Sequence, residues 1–230
     1  MVHVIGYQNS NIVGVDLSLT SLAYAKRKIE EMGYKNVEFL QGDILDLKNL
    51  NRKFDVIECS GVLHHMRKPL EGLKVLLELL EPHGYLKLGL YSELSRKHLV
   101  RVRDFIKEKK LGNSIKDIRN CREAIINQKD DELLQKVINN NDFYTTSSTR
   151  DLIFHVQEHQ FSIPEISKIL NDFNLEFLGF TNPHFKKKYL QSFPGDKKNL
   201  SLDNWNQFEI NNPSAFVGMY QFWVRKIKKI

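Results

Sequence analysis

The sequence predicts an α/β protein with a doubly wound, mostly parallel sheet and an inserted helical cap. Three observations carry this. Short apolar runs alternate with helical periodicity over residues 11–90, and strands separated by helices call for parallel pairing through right-handed crossovers. Residues 95–173 then hold one helical pattern after another with no strand between them, which is best explained as a cap set over the strand tips. Strand character returns at 175–180 and at 216–225, a candidate antiparallel edge pair. The expected organisation is a strand–helix part over 1–92, the cap over 93–174, and a closing part over 175–230 that completes the sheet.

Each element has a local cause. Asn11–Asp16 (NIVGVD) is a short apolar run ending in an acid and reads as a buried parallel strand. Ser18 or Thr20 can cap the following helix, in which Leu22, Ala25, Ile29 and Met32 recur at helical spacing before Gly33 ends it. Val37–Gln41 and Phe54–Cys59 read as the next strands, with Gly42-Asp43 as a turn between them. Pro69 opens a helix through Leu80 whose apolar positions are Leu70, Leu73, Leu76, Leu77 and Leu80. Glu81-Pro82-His83-Gly84 reads as a turn and Tyr85–Leu90 as a fourth strand. Further helices are expected over Ser95–Lys110, Ser114–Gln128, Asp131–Asn139, Thr149–Gln157, Pro164–Phe173 and Leu202–Asn211.

Composition narrows the function classes. At 230 residues, 41% of them hydrophobic and 10% aromatic, the chain can bury a full core. The net charge is +6, but the basic residues sit in short clusters at 107–110, 186–188 and 225–229, without an aromatic-basic stripe. A nucleic-acid partner is therefore not expected. Cys59 and Cys121 are the two cysteines, far apart and without metal-ligand spacing, which fits a reducing compartment. The start MVHVIGYQNSN lacks the pattern of a signal peptide, and no apolar run reaches the ~18 residues that span a bilayer. A cytoplasmic protein without a membrane partner is expected.

In doubly wound sheets ligands lie outside the carboxyl ends of the strands. That rule picks out Asp16, Asp43, Cys59–His65 and Tyr91. Adjacent histidines do not share a helix face, so at most one of His64 and His65 points into a cleft. A second polar cluster lies in HVQEH, where His155 and His159 would share one face of a helix with Glu158 beside them. The order differs from the zincin HExxH, and no metal site is expected. Candidate proton acceptors are His65, Tyr91, His155 and His159.

The sequence of pieces GVD-LS, QGDI-L, FDVIECSGVLHHM and EPHGYLKLGLYS resembles the class I methyltransferases that use S-adenosylmethionine. TRDLIFHVQEHQFSIPEI and FVGMYQFWV resemble the C-terminal part of bacterial methyltransferases fused behind tetratricopeptide repeats, so the resemblance runs from Asn11 to Arg225. It implies a Rossmann-like methyltransferase fold and S-adenosyl-L-methionine as cofactor. It further implies that Asp16, with Leu17 beside it, holds the ribose hydroxyls, and that Asp43 and Ile44 lie at the adenine. Cys59, Ser60 and His64 would line the methionine end, facing the acceptor.

One part of the family pattern is absent. Its first motif, a strand with a glycine-rich turn and a helix, needs about 25–30 residues before the Asp16 strand. Only ten precede Asn11, and Gly6 stands alone there with no G-x-G. The fold is expected to be N-terminally truncated, with methyl transfer possible only when the missing strand, loop and helix are supplied; the expected partners are an upstream segment or a tetratricopeptide-repeat protein. The alternative is a degenerate, non-catalytic interaction module. A nucleotide-dependent dehydrogenase is disfavoured because no G-x-G-x-x-G is present. The residues do not name the methyl acceptor.

Overall fold

The computed structural model describes residues 9–154 and 157–227. The described residues fall into two compact units: those up to Lys53 together with Glu71–Leu79, and Phe54–Leu70 together with Leu80 onward.

In the first unit β1 (Ile12–Asp16) and β2 (Val37–Gln41) pair in parallel, Ile12 opposite Val37 and Asp16 opposite Gln41. They are joined by α1 (Leu19–Glu31), which starts where the Ser18 hydroxyl accepts from the Ser21 amide. Gly33, at φ 78°, takes the left-handed turn after it, as the sequence predicts. Asp43 caps a six-residue 3-10 helix, Ile44–Asn49, beyond β2. Core is thin here: over 9–53 Ile29 is the buried apolar side chain, while Leu17, Leu19, Tyr24, Met32 and Leu45 are exposed. The helix α2 (Pro69–Leu79) carries a continuous buried stripe from Leu73 to Leu79.

The second unit holds a four-stranded sheet in the order β3 (Phe54–Ser60), β4 (Leu80–Leu90), β6 (Tyr220–Lys226), β5 (Leu175–Phe180). β3 and β4 are parallel, and β6 runs antiparallel to both β4 and β5. The antiparallel pair is thus present, with β5 at the edge and β6 inside. Among the described residues β1 has one ladder neighbour, β2, and β3 has one, β4. Leu86, Leu88, Phe222 and Val224 on the facing strands are fully buried and form the floor of this core.

Four helices, α3 (Lys97–Glu108), α4 (Ile115–Asn127), α5 (Glu132–Ile138) and α6 (Thr146–Ile153), share a second core. It is built from Leu99, Val102, Phe105, Cys121, Ile125, Leu134, Val137, Phe143 and Ile153. α7 (Ile163–Asp172) opens with a reciprocal Ser162–Glu165 capping box and packs against β5 and α9 (Leu202–Asn211). No described helix is long and apolar enough to cross a membrane.

The structure corrects four local expectations. Glu81–Gly84 is not a separate turn: β4 runs through it, with a register shift between Phe54 and Val56 and His83 at φ 65°. Gly84 packs so tightly on Leu80 that a Cβ would lie 2.8 Å from its Cγ. The helix placed at Thr149–Gln157 is instead α6, moved toward the N-terminus because the Thr145 hydroxyl caps it by accepting from the Ser148 amide. β6 begins at Tyr220 rather than Phe216, whose ring belongs to an aromatic cluster with Phe180, Trp205 and Tyr220. The basic run Lys186–Lys188 opens an unexpected short helix, α8 (Lys186–Ser192), anchored by buried Tyr189 stacked on Trp205 at 3.9 Å.

Gly89 in β4 lies directly opposite Ser60. A Cβ there would stand 2.7 Å from the Ser60 Cβ and 2.8 Å from the Met219 sulfur. Gly89→Ala should therefore destabilise the protein by about 1–3 kcal/mol through overpacking. A urea midpoint unchanged from the wild type would show that the two strands part without cost.

Candidate functional site

The strand ends of the first unit hold the residues expected at the ribose and adenine. Asp16 ends β1 with its side chain exposed; Oδ1 accepts from the Ser18 amide at 2.7 Å. Part of this carboxylate is thus a local turn cap on an exposed residue. Leu17 follows, exposed, and its carbonyl accepts from Gln41 Nε2 at 3.0 Å. Asp43 is half-buried and accepts from the Leu45 amide at 2.8 Å, with Ile44 opening the 3-10 helix beside it.

In the second unit the chemistry gathers at the carboxyl ends of β3 and β4. Cys59 is buried, and burial pushes its thiol up to about 11, so it is no nucleophile near neutral pH. Ser60 is exposed, and Gly61 at φ 83° turns the chain into a short 3-10 segment, Leu63–His65. His64 is fully buried and stacks on Tyr91 with ring centroids 3.6 Å apart. His65, half-buried, stands edge-on to both rings, with Nδ1 3.3 Å from the Gln157 carbonyl. Burial first, and the His65 ring second, push His64 down to about 3; the Gly89 backbone pulls the other way without reaching hydrogen-bond geometry. His64 is therefore a neutral imidazole at physiological pH.

Arg96, the N-cap residue of α3, lays its guanidinium over the Tyr91 ring, Cζ 3.6 Å from the centroid. The same guanidinium forks onto Glu158, Nε to Oε1 and Nη2 to Oε2, both at 2.8 Å. Arg103 forks onto the same carboxylate at 3.1 and 2.7 Å. Burial alone would raise the Glu158 carboxyl, but the Arg103 and Arg96 hydrogen bonds outweigh it and hold it down to about 2.

Residues 157–160 form no helix, which corrects the helical placement of Glu158 and His159; His155, expected on one helix face with His159, lies outside the described residues. The reason is that tertiary partners take the backbone bonds a helix would need. The His159 amide donates to the His64 carbonyl at 2.7 Å, and the Phe161 amide to the Tyr91 carbonyl at 2.9 Å. The Glu93 amide returns a bond to the Phe161 carbonyl, and Gln157 Nε2 reaches the Met66 carbonyl. The segment laces the loops after β3 and β4 together.

The sequence singled out His64, His65, Tyr91 and His159, and these the structure brings together. It did not point to Arg96 or Arg103, because their partner lies 62 and 55 residues away along the chain. Buried polar atoms without a hydrogen-bond partner among the described residues concentrate here: both ring nitrogens of His64, His159 Nε2 and Arg103 Nε. Among the described residues no group of three or more His, Cys, Asp or Glu is placed to hold a metal.

A family model described as a methyltransferase domain matches residues 2–160. An uncharacterised protein of Synechococcus is 26% identical over 183 residues, 76% of this chain and 43% of that protein. A demethylmenaquinone methyltransferase of Lactococcus lactis is 34% identical over 76 residues, 33% of this chain and 30% of the enzyme. The structure of PKMT2 from Rickettsia typhi superposes with a TM-score of 0.68 at 19% identity, covering 96% of this chain and 44% of that one. The same protein in complex with AdoHcy gives 0.66 at 20% identity, covering 99% and 46%. The chain spans less than half the length of these relatives. Matched over more than half its length by the family model, the chain belongs to the methyltransferase domain family, and the PKMT2 structure shares its fold.

Proposed function

We propose that the chain transfers a methyl group from S-adenosylmethionine to an acceptor once a strand, glycine-rich loop and helix are supplied beside β1, in the same chain or by a partner. One observation carries the reading within this family. A neutral imidazole, a phenol and a second imidazole are packed ring on ring at the ends of β3 and β4, where α/β sheets take their ligands.

The residues fit the cofactor. Asp16 is exposed and has a second carboxylate oxygen for ribose hydroxyls, and a carboxylate accepts such bonds strongly because it only accepts. Asp43 and Ile44 have the corresponding place after β2 for the adenine. When bound, the cofactor supplies an electrophilic methyl on a sulfonium. The protein's part is to align the acceptor with that methyl, which converts a bimolecular encounter into an oriented one. His64, held neutral and shut off from water, is a poor proton acceptor. Proton removal, where the acceptor needs it, falls to Tyr91 or His65, with His159 as a hydrogen-bonding neighbour. The unpartnered ring nitrogens of His64 and His159 suit an acceptor that carries hydrogen-bonding groups.

Asp16 gives the direct test. Asp16→Ala removes charge-assisted bonds worth ~1.5–3 kcal/mol each, so S-adenosylmethionine affinity should fall at least about tenfold. The side chain is exposed, so the melting temperature of the ligand-free protein should barely move. Calorimetric titration of the complemented protein checks this, and unchanged binding removes Asp16 from the site.

A further inference from the structure

We infer that Glu158 is a positioning residue of the transfer site: through Arg96 it holds the Tyr91 ring flat against His64, leaving the phenol oxygen in one orientation toward the acceptor. This rests on the methyl-transfer reading above.

The argument starts from contact distances. The His64 ring and the Arg96 guanidinium each lie 3.6 Å from the Tyr91 centroid, which is van der Waals contact over a ring face. Two planar groups cannot both occupy that position on one face, so they take opposite faces and the Tyr91 ring is sandwiched. Its plane is fixed by the two neighbours. Its hydroxyl receives no hydrogen bond from the described residues, and Tyr91 is only half-buried. Orientation is therefore set through the faces, and the oxygen stays available for chemistry.

An arginine on a phenol face is free to slide or swing away unless something fixes its plane. Glu158 does so, because a two-point fork onto a carboxylate defines the orientation of the guanidinium as well as its position. Arg103 adds a second fork onto Glu158, and Gln160 Nε2 donates a further bond to Oε1 at 3.2 Å. The Glu158 side chain is 2% exposed, so water does not compete for these bonds. The backbone bonds from His159 to His64 and from Phe161 to Tyr91 tie the segment carrying Glu158 to the two residues it aligns.

Proton NMR of the full chain tests this, read at the His64 ring protons, which the stacked Tyr91 ring shields. Glu158→Gln keeps the side-chain shape but turns an amide nitrogen toward a guanidinium, so Arg96 should release Tyr91 and the shielding should be lost. Arg96→Lys keeps the charge beside Glu158 but removes the flat group from the ring face, and should give the same loss. It also answers the question if Glu158→Gln does not fold. A purely structural clasp predicts lowered melting temperatures with the His64 resonance still shielded in both variants, and that result overturns the proposal. Titration of S-adenosylmethionine into the complemented wild-type protein judges the underlying reading separately. Absence of binding there removes methyl transfer, and the positioning role with it. Binding with an unmoved resonance in the variants removes the positioning role alone.

Discussion

S-adenosylmethionine should bind the 230-residue chain roughly a thousandfold more weakly than the same chain supplied with a strand, glycine-rich loop and helix. The twelve glycines of the sequence include no G-x-G. A loop of that type allows close backbone approach to a ligand, and the helix after it adds a favourable N-terminal dipole. Contacts of this kind amount to about 4 kcal/mol for the expected thousandfold, at ~1.4 kcal/mol per decade. The sheet edges point the same way. β1 and β3 each pair on one side among the described residues, and residues 9–53 expose Leu17, Leu19, Tyr24 and Met32 while burying Ile29. An open parallel edge is a template for a further strand and a liability without one. The unaided chain should therefore also self-associate, and the added segment should suppress this in light scattering while restoring binding in calorimetry. Micromolar binding by the unaided monomer would overturn the prediction.

Strand and helix order was readable in the sequence wherever one periodicity acted alone. β1, β2 and β3 are short apolar runs with turn residues around them, and α1 has its cap and stop in Ser18 and Gly33. Reading failed where tertiary partners outbid local signals. Pro82 and Gly84 look like a turn, yet their segment continues β4 as an irregular strand because Leu80 still pairs with Phe54. Glu158 and His159 read as part of a helix, but the amides of His159 and Phe161 are taken by the carbonyls of His64 and Tyr91. The strand-end rule found His64, His65 and Tyr91 because topology alone places them. Arg96 and Arg103 were invisible for the opposite reason: they stand in a region patterned as an ordinary amphipathic helix, and only folding brings Glu158 to both.

Removal of the Glu209 carboxylate should strongly destabilise the second unit. Glu209 in α9 is 3% exposed and accepts from two buried hydroxyls, Ser92 Oγ and Tyr220 Oη, each at 2.6 Å. Ser92 in turn accepts from the Ser95 amide, so the carboxylate ties the residue after Tyr91 to α9 and to the start of β6. Glu209→Ala strands both hydroxyls, each costing about 1–3 kcal/mol, and adds a cavity; a loss of roughly 3 kcal/mol or more is expected. Tyr220→Phe removes one of the two bonds and should cost less. The pH dependence distinguishes this site from plain packing. Burial raises the Glu209 carboxyl above its ordinary 4.5, and the Ser92 and Tyr220 hydroxyls only partly offset it. The folded protein thus holds this proton to higher pH than the unfolded chain does. Its contribution to stability is complete below pH 4.5 and is lost as pH rises through the higher folded value. Glu209→Gln carries no proton to lose, so the stability difference between wild type and Glu209→Gln should shift against the wild type as pH rises from 4.5 toward 8. Urea unfolding of both proteins across that range measures it, and parallel curves would mean that folding does not raise the Glu209 carboxyl.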